Sequence, residues 1–430
     1  MSVSNERLLT AVDAMRQTVE DIFERLRAGT ADRQGGVTRA SYSEQEDFAH
    51  ALLAGVARDF GLEVTHDASA NTYMTLPGKN RQARRIIIGS HLDSVKHGGN
   101  YDGAAGVVAG LVALAVLRNL GIESEFDISA MGVRAEESVW FQVSYLGSRG
   151  ALGALPPGAL EARRIDTGRT LREHLQERAG DPDALAKGHA HLSRHNVRAF
   201  IEPHIEQAPK LVQEKVPVAI CLGVPGLFMH ATARVLGEYG HVGTPKQYRH
   251  DAAMAAADFA MSLDQEWERQ LARGRQMAIT FGRFHTDSQA HGLTTIAGEF
   301  SFSLDIRGYE QDLLDHMEKQ VELIIERIER QRQVRFELGP RRSAAIGYVD
   351  PAMRESLGQC ATELGIDHIS MYSPASHDAG AFSAAGIPTG MILIRNENGS
   401  HNPNEKMTTD DFLQGLKILV AWLIKESVHR

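Results

Sequence analysis

The chain has 430 residues, 43% of them hydrophobic and 23% charged, with 46 basic and 55 acidic residues for a formal net charge of -9. That length supports a large buried core, divided more readily into two domains than one. A mildly acidic balance argues against a nucleic-acid partner or an anionic membrane surface.

The N-terminus, MSVSNERLLTAVDAM, has no apolar signal region. Apolar residues then recur at helical spacing (Leu8, Leu9, Val12, Met15, Val19, Ile22, Phe23), which predicts one amphipathic helix from about Asn5 to Arg27. A second helix is expected from about Gln45 to Phe60. Arg84 to Ser90 carries Ile86-Ile87-Ile88 between charge and glycine and reads as a buried strand. Ala104–Leu120 reads as the helix that follows, and Phe126 to Met131 as the next strand. The longest apolar stretch, Gly103 to Leu117, is too short and too rich in Ala and Gly to span a bilayer. Alternating strand and helix implies an α/β sheet.

The middle of the chain has a different rhythm. Phe228–Leu236 reads as a strand, Ala252–Arg273 as a helix, Met277–Phe284 and the strictly alternating Glu299–Ile306 as strands. Tyr309–Gln331 reads as a helix and Val334–Leu338 as a strand. This is a compact α+β unit of the split βαβ kind, and it looks inserted because the α/β pattern resumes after Arg341. Met391–Ile394 is a further strand and Asp410–Val428 a closing helix. The two cysteines, Cys221 and Cys360, stand in no C-x-x-C or zinc-finger spacing, so a cytoplasmic chain with two structural thiols is expected.

Four polar motifs follow or interrupt these elements. His91 lies just past an expected strand, and Asp102 just before an expected helix, where it could serve either as N-cap or as a metal-bridging carboxylate. Asp93, two residues from His91, could hold the far imidazole nitrogen. Glu136 and Glu137 follow the strand Phe126–Met131. Two adjacent acids are usually a solvated turn, but here one could ligate a metal while the other takes a proton from water activated there. Ile201–Gln207 and Asn398–Glu405 supply His204 and His401. A lone loop histidine is usually just solvated. Several strand ends offering His, Asp and Glu without a thiolate point instead to a catalytic two-metal site.

The segments GSHLDSVKHGGNYDGAAGVVAGL (89–111), RAEESVWF (134–141), HIEQAP (204–209), GHVGTP with RHDA (240–252), FSLDIRG (302–308), SHDA (376–379) and GSHNPNE (399–405) run in one order along the chain. In them the chain resembles the M20 metallopeptidase-like amidases, in the branch of N-carbamoyl-L-amino-acid hydrolases and allantoate amidohydrolases. The resemblance implies a di-metal aminopeptidase-like catalytic domain with a mixed sheet flanked by helices (residues 1–222 and 341–430). It also implies an inserted, ferredoxin-like α+β lid and dimerisation domain (223–340). Asp102 would bridge two divalent ions, zinc first and manganese or cobalt as alternatives. His91 and His204 would complete one metal site, Glu137 and His401 the other, with Glu136 the general base and Asp93 in the catalytic set. His241 would reach the partner subunit's active site in a homodimer and stabilise the oxyanion. Arg307 would clamp a carboxylate of a small-molecule substrate, and Gln207, Thr294 and Ser376 would line the substrate.

The chain departs from the family pattern after His241, where Val242-Gly243-Thr244-Pro245 is one residue shorter. It departs again at Thr294, where the family has asparagine, and at Ser373–Ala379. All three lie on the substrate side. The expected reaction is hydrolysis of a linear amide or ureido C–N bond. A dipeptidase-like or other N-acyl-amino-acid amidase stays open, as does a catalytically dead metal-binding protein, although the ligand set and Glu136 are intact.

Overall fold

The computed structural model describes residues 3–428, and the chain divides into two units, one running to Val224 and resuming at Gly347, the other Pro225–Ile346.

The larger unit is built on an eight-stranded mixed sheet. Across it the strands run Glu63–His66, Thr72–Leu76, Ile128–Val133, Arg85–His91, Val197–Ile205, Thr389–Ile394, Val218–Cys221 and His368–Met371. The four strands from Ile128–Val133 to Thr389–Ile394 are mutually parallel, so their carboxyl ends share one edge of the sheet. Alternate residues feed opposite layers. Ile86, Ile88, Ile392 and Ile394 pack with the helices Ala104–Leu120 and Thr409–Val428, whereas Ile87, Phe200, Met391 and Leu393 pack with Phe382 and Ala379 on the other face. Burial on both faces is why Ile128–Val133, Thr389–Ile394 and the isoleucine run of Arg85–His91 are largely apolar. No helix among the described residues is long and apolar enough to cross a membrane. Cys221 and Cys360 are both free and buried.

The smaller unit holds a six-stranded antiparallel sheet whose main path runs Met277–Thr280, Glu299–Gly308, Gly226–Leu236, Arg335–Glu337, with Phe284–Thr286 also paired to Glu299–Gly308 and Arg341–Ala344 to Gly226–Leu236. Along Glu299–Gly308 every second residue is buried, from Phe300 through Phe302, Leu304 and Ile306. This buried face packs on the helices Ala252–Ala272 and Gln311–Arg332.

The structure corrects the sequence reading in several places. The N-terminal helix is two, Asn5–Asp13 and Arg16–Thr30. Between them the Met15 N–H bonds to the Val12 carbonyl in a tightened turn, which keeps Leu8, Val12, Met15 and Val19 all buried. Met277–Phe284 is not one strand, because an irregular Phe281–Arg283 separates Met277–Thr280 from Phe284–Thr286, both paired with Glu299–Gly308. Arg341–Ala344 extends the smaller unit's sheet by pairing with Gly226–Leu236. That unit therefore ends at Ile346 and not near residue 340.

Candidate metal centre

Every candidate ligand in the larger unit sits at the carboxyl edge of the parallel strands or on a loop leaving it. His91 ends its strand, and its buried ring points Nδ1 at the Asp93 carbonyl oxygen (3.0 Å). That bond holds the proton on Nδ1 and leaves Nε2 as the ligand atom, 3.7 Å from Asp102 Oδ1. His204, next to last in Val197–Ile205, repeats the arrangement. Its Nδ1 donates to the Ile205 carbonyl oxygen (2.9 Å), and its Nε2 lies 3.3 Å from the same Asp102 oxygen. On the other side of that carboxylate, His401 Nε2 lies 3.4 Å from Asp102 Oδ2 and 3.2 Å from Glu137 Oε1.

Asp102 is not the N-cap of the helix it precedes. Gly103 holds that position, at φ 66° and with no side-chain cap. A Cβ there would fall 2.5 Å from the His91 ring, so both the backbone angle and the close approach require glycine. The Asp102 carboxylate is thereby left to face the three imidazoles.

Glu136 and Glu137 are presented by a turn in which Ala135 takes a left-handed conformation (φ 53°). Hydrogen bonds fix that turn from both sides. The Ala135 N–H donates to Glu46 Oε1 (3.1 Å), and the Leu146 N–H donates to the Ala135 carbonyl (3.0 Å). Glu46 is itself held by Arg134 (2.7 Å). Gln207 (φ 65°) and His401 (φ 59°) are also left-handed, so strained non-glycine residues gather at this centre.

Asp93 has a further task beside the pairing with His91 that its spacing suggests. Its carboxylate accepts the Glu136 N–H (3.0 Å), the Glu137 N–H (3.1 Å) and the Ser41 hydroxyl (2.7 Å). The imidazole of His91 is bonded by the Asp93 carbonyl, with carboxylate oxygen Oδ1 farther off at 3.5 Å.

The electrostatics are those of a site rich in carboxylate. Burial would raise the Asp102 carboxyl, but the imidazoles of His204 and His401 beside it prevail and hold it well below its usual range. Hydrogen bonds to Asp102 and Glu137 push the His401 imidazole up to about 11. Burial pushes the Glu136 carboxyl well above its ordinary range, opposed by His91 and reinforced by Glu137.

Two groups of three ligands result, His91–Asp102–His204 and Asp102–Glu137–His401, sharing Asp102. Imidazole and carboxylate donors without a thiolate suit divalent ions such as zinc, manganese or cobalt. The residues therefore fit two cations with one bridging carboxylate. A third group, Glu202–His204–His377, is buried beneath them. Both His204 nitrogens are already used by Ile205 and the Asp102 side. Glu202 accepts the Ser90 hydroxyl and the Ala379 N–H, each at 2.7 Å. It is a supporting layer under the ligands.

Gln207 donates from Nε2 to Asp102 Oδ2 (3.0 Å), so it touches the carboxylate that the two candidate groups share. Ser376 is half-buried in the loop before the helix Asp378–Ala384, in the same unit. The other three candidates lie in the smaller unit. His241 is exposed and pairs with Thr295, beside Thr294, whose carbonyl accepts the Val242 N–H (2.9 Å). Arg307 lies one residue before the end of its strand, on the face away from the helices, and donates to both carboxylate oxygens of Asp305 (2.9 and 3.2 Å). Sequence reading assigned no role to Ser41, Glu46, Ser400, Glu405 or Glu202. Their signal is proximity in the fold, although Ser400 and Glu405 stand within the segment GSHNPNE (399–405).

The family model for Peptidase family M20/M25/M40 matches residues 87–425. An N-carbamoyl-L-amino acid amidohydrolase from Geobacillus stearothermophilus is 32% identical over 409 residues, 93% of this chain and 96% of the relative. An allantoate amidohydrolase from Escherichia coli (strain K12) is 26% identical over 416 residues, 95% of this chain and 97% of the relative. The crystal structure of a hydantoinase/carbamoylase family amidase from Burkholderia ambifaria is 27% identical, covers 99% of this chain and 98% of its own, and superposes with a TM-score of 0.77. With Asp102 shared by two candidate ligand groups, the chain belongs to the peptidase family M20/M25/M40, in the branch of linear-amide amidohydrolases.

Proposed function

We propose that the protein hydrolyses the linear C–N bond of an N-carbamoyl-L-amino acid or a related ureido acid such as allantoate. One observation carries this reading: two N/O ligand groups share Asp102, and a buried carboxylate that belongs to neither, Glu136, stands next to one of them in the chain. Zinc is the first choice for both groups, with manganese and cobalt as alternatives. Bound there, two such ions supply Lewis acidity and lower the pKa of water.

The chain's own residues do the rest. Glu136 takes a proton from the attacking water and delivers it to the leaving nitrogen as the carbonyl carbon gains oxygen and loses nitrogen. Asp93 fixes where that carboxylate starts, through the Glu136 backbone. Arg307, oriented by Asp305, receives a substrate carboxylate, for which a guanidinium fork has the matching planar geometry. Gln207, Thr294 and Ser376 contact the substrate, and His241 stabilises the oxyanion from the partner subunit of a homodimer. The smaller unit acts as lid and dimerisation domain. Two free buried thiols suit a cytoplasmic location.

The test is a panel of N-carbamoyl amino acids, allantoate, N-acyl amino acids and dipeptides, run on metal-free protein and after adding back Zn²⁺, Mn²⁺ or Co²⁺. Activity on the ureido acids that vanishes on chelation and returns with metal is expected. Turnover of dipeptides alone, or full activity in protein shown by metal analysis to be metal-free, would refute the reading.

A further inference from the structure

We propose that Glu405 is a positioning residue that locks the His401 loop onto the Asp102 loop and so sets the affinity of the Asp102–Glu137–His401 cation site. This inference rests on the two-cation reading above.

His401 is the least enclosed ligand. Its side chain is 52% exposed, whereas those of His91, His204, Asp102 and Glu137 are all at or below 8%. It sits in a Gly/Asn/Pro loop with left-handed residues at Asn398, Gly399 and His401. That loop is bonded mostly to itself: Asn396 Nδ2 donates to the Gly399 carbonyl, Asn398 Nδ2 to Asn404, and Asn402 Nδ2 to Asn398. Such bonds give the loop a shape but do not place it against a partner ligand some 300 residues away in sequence.

The Asp102 loop, by contrast, is anchored from behind. The buried Arg39 donates to Asn100 Oδ1 (3.2 Å) and, from Nε, to the Leu92 carbonyl (2.7 Å), and Asn100 Nδ2 donates to the Phe23 carbonyl (2.9 Å).

Glu405 joins the two loops. Its Oε1 accepts the backbone N–H of Tyr101 (2.8 Å) and of Asp102 (3.2 Å). Its Oε2 lies 2.8 Å from the Ser400 hydroxyl, and that hydroxyl lies 2.5 Å from Asp102 Oδ2. One buried carboxylate thus grips the backbone of the bridging ligand and the neighbour of His401 at once. Gly99 belongs to the same device, because a Cβ there would fall 2.0 Å from the Glu405 carboxyl carbon. His91 and His204 owe nothing to this link: each is the last or next-to-last residue of a paired strand. Loss of Glu405 should therefore act on one cation site and spare the other.

The experiment titrates Co²⁺ into the full-length, metal-stripped chain and reads stoichiometry and affinity by calorimetry and visible absorption. Wild type should take two equivalents. Glu405→Ala should keep one tight equivalent and weaken the second by about 10–100-fold, the usual cost of losing an outer-layer partner of a ligand. Gly99→Ala, which pushes the same carboxyl aside from its other end, should do likewise. Glu405→Gln keeps Oε1 for both backbone donors and leaves the Ser400 hydroxyl free to donate to Asp102, so it should remain near wild type. If Glu405→Ala does not fold, Gly99→Ala and Glu405→Gln decide the matter. Two wild-type affinities in the Ala variants, or equal weakening of both sites, would overturn this role alone. Fewer than two ions in wild type would fell the two-cation reading, and this proposal with it.

Discussion

Asp93 Oδ1 accepts the backbone N–H of Glu136 at 3.0 Å, and the other oxygen of the same carboxylate accepts the N–H of Glu137. The strand ending at His91 thereby fixes the turn after the neighbouring strand, Ile128–Val133. One acid aims two others without touching their side chains. Asp93→Asn retains a single acceptor oxygen and turns an amide NH₂ toward a backbone donor. We expect kcat to fall by roughly 10–100-fold, as for other outer-layer partners of metal ligands. Wild-type kcat and metal content in this variant would show that the Glu136 turn holds without Asp93.

The Glu136–Glu137 pair should separate by phenotype. Glu136→Gln should keep its metal and lose kcat by about 10²–10⁴-fold, the range for general acid–base catalysis. Glu137→Gln should instead lose the ion of the Asp102–Glu137–His401 group, since Glu137 Oε1 lies 3.2 Å from His401 Nε2. Metal analysis beside single-turnover kinetics distinguishes the two, and exchanged phenotypes would reverse the assignment.

Much of this centre was legible because its ligands stand where chain patterns change. An isoleucine run ending in Gly-Ser-His marks a buried strand and its carboxyl end, and the alternation of Phe300, Phe302 and Leu304 marks a one-sided sheet. The strand Val197–Ile205 was not legible as such, because Arg198, Glu202 and Pro203 break its apolar run. Pro203 is tolerated there because the pairing with Arg85–His91 stops at Ile201. The break at Met15 leaves helical spacing almost intact, so periodicity alone could not show it. The partners of Asp93 and Glu405 depend on closeness between segments tens to hundreds of residues apart, which no local pattern carries.

The support behind the Glu136 turn should be sensitive to acid. His174 is buried edge-on against Phe141, with ring centroids 5.7 Å apart. Burial, then Arg164 and Arg178, lower its imidazole to about 4. An imidazole in the unfolded chain titrates near ~6.5, so folding favours the neutral form. The stability it contributes is complete above ~6.5 and is lost as pH falls from there toward the folded value. His174→Gln cannot take up a proton, so its melting temperature should fall less than that of wild type between neutral pH and the acid side of this window. Parallel declines would assign the acid sensitivity to other groups.

In the proposed reading, the substrate class turns on Arg307. Its strand alternates, so Arg307 and Asp305 project from the same face, opposite to the buried Leu304 and Ile306. Asp305 accepts from two guanidinium nitrogens, at 2.9 and 3.2 Å, which fixes the plane of the fork. The side chain is 33% exposed. A guanidinium held in plane suits a planar carboxylate, and lysine cannot reproduce it because an ammonium has no second coplanar donor. Arg307→Lys should therefore raise KM for the acid substrate by about 10-fold, equivalent to ~1.4 kcal/mol and within the range for one charged hydrogen bond. On the matching carboxamide, which offers no carboxylate, the same substitution should change little. The comparison is kcat and KM for both substrates in wild type and variant. Equal KM values on the acid would place the carboxylate handle elsewhere, and the assignment to carboxylate-bearing ureido acids would lose its main residue.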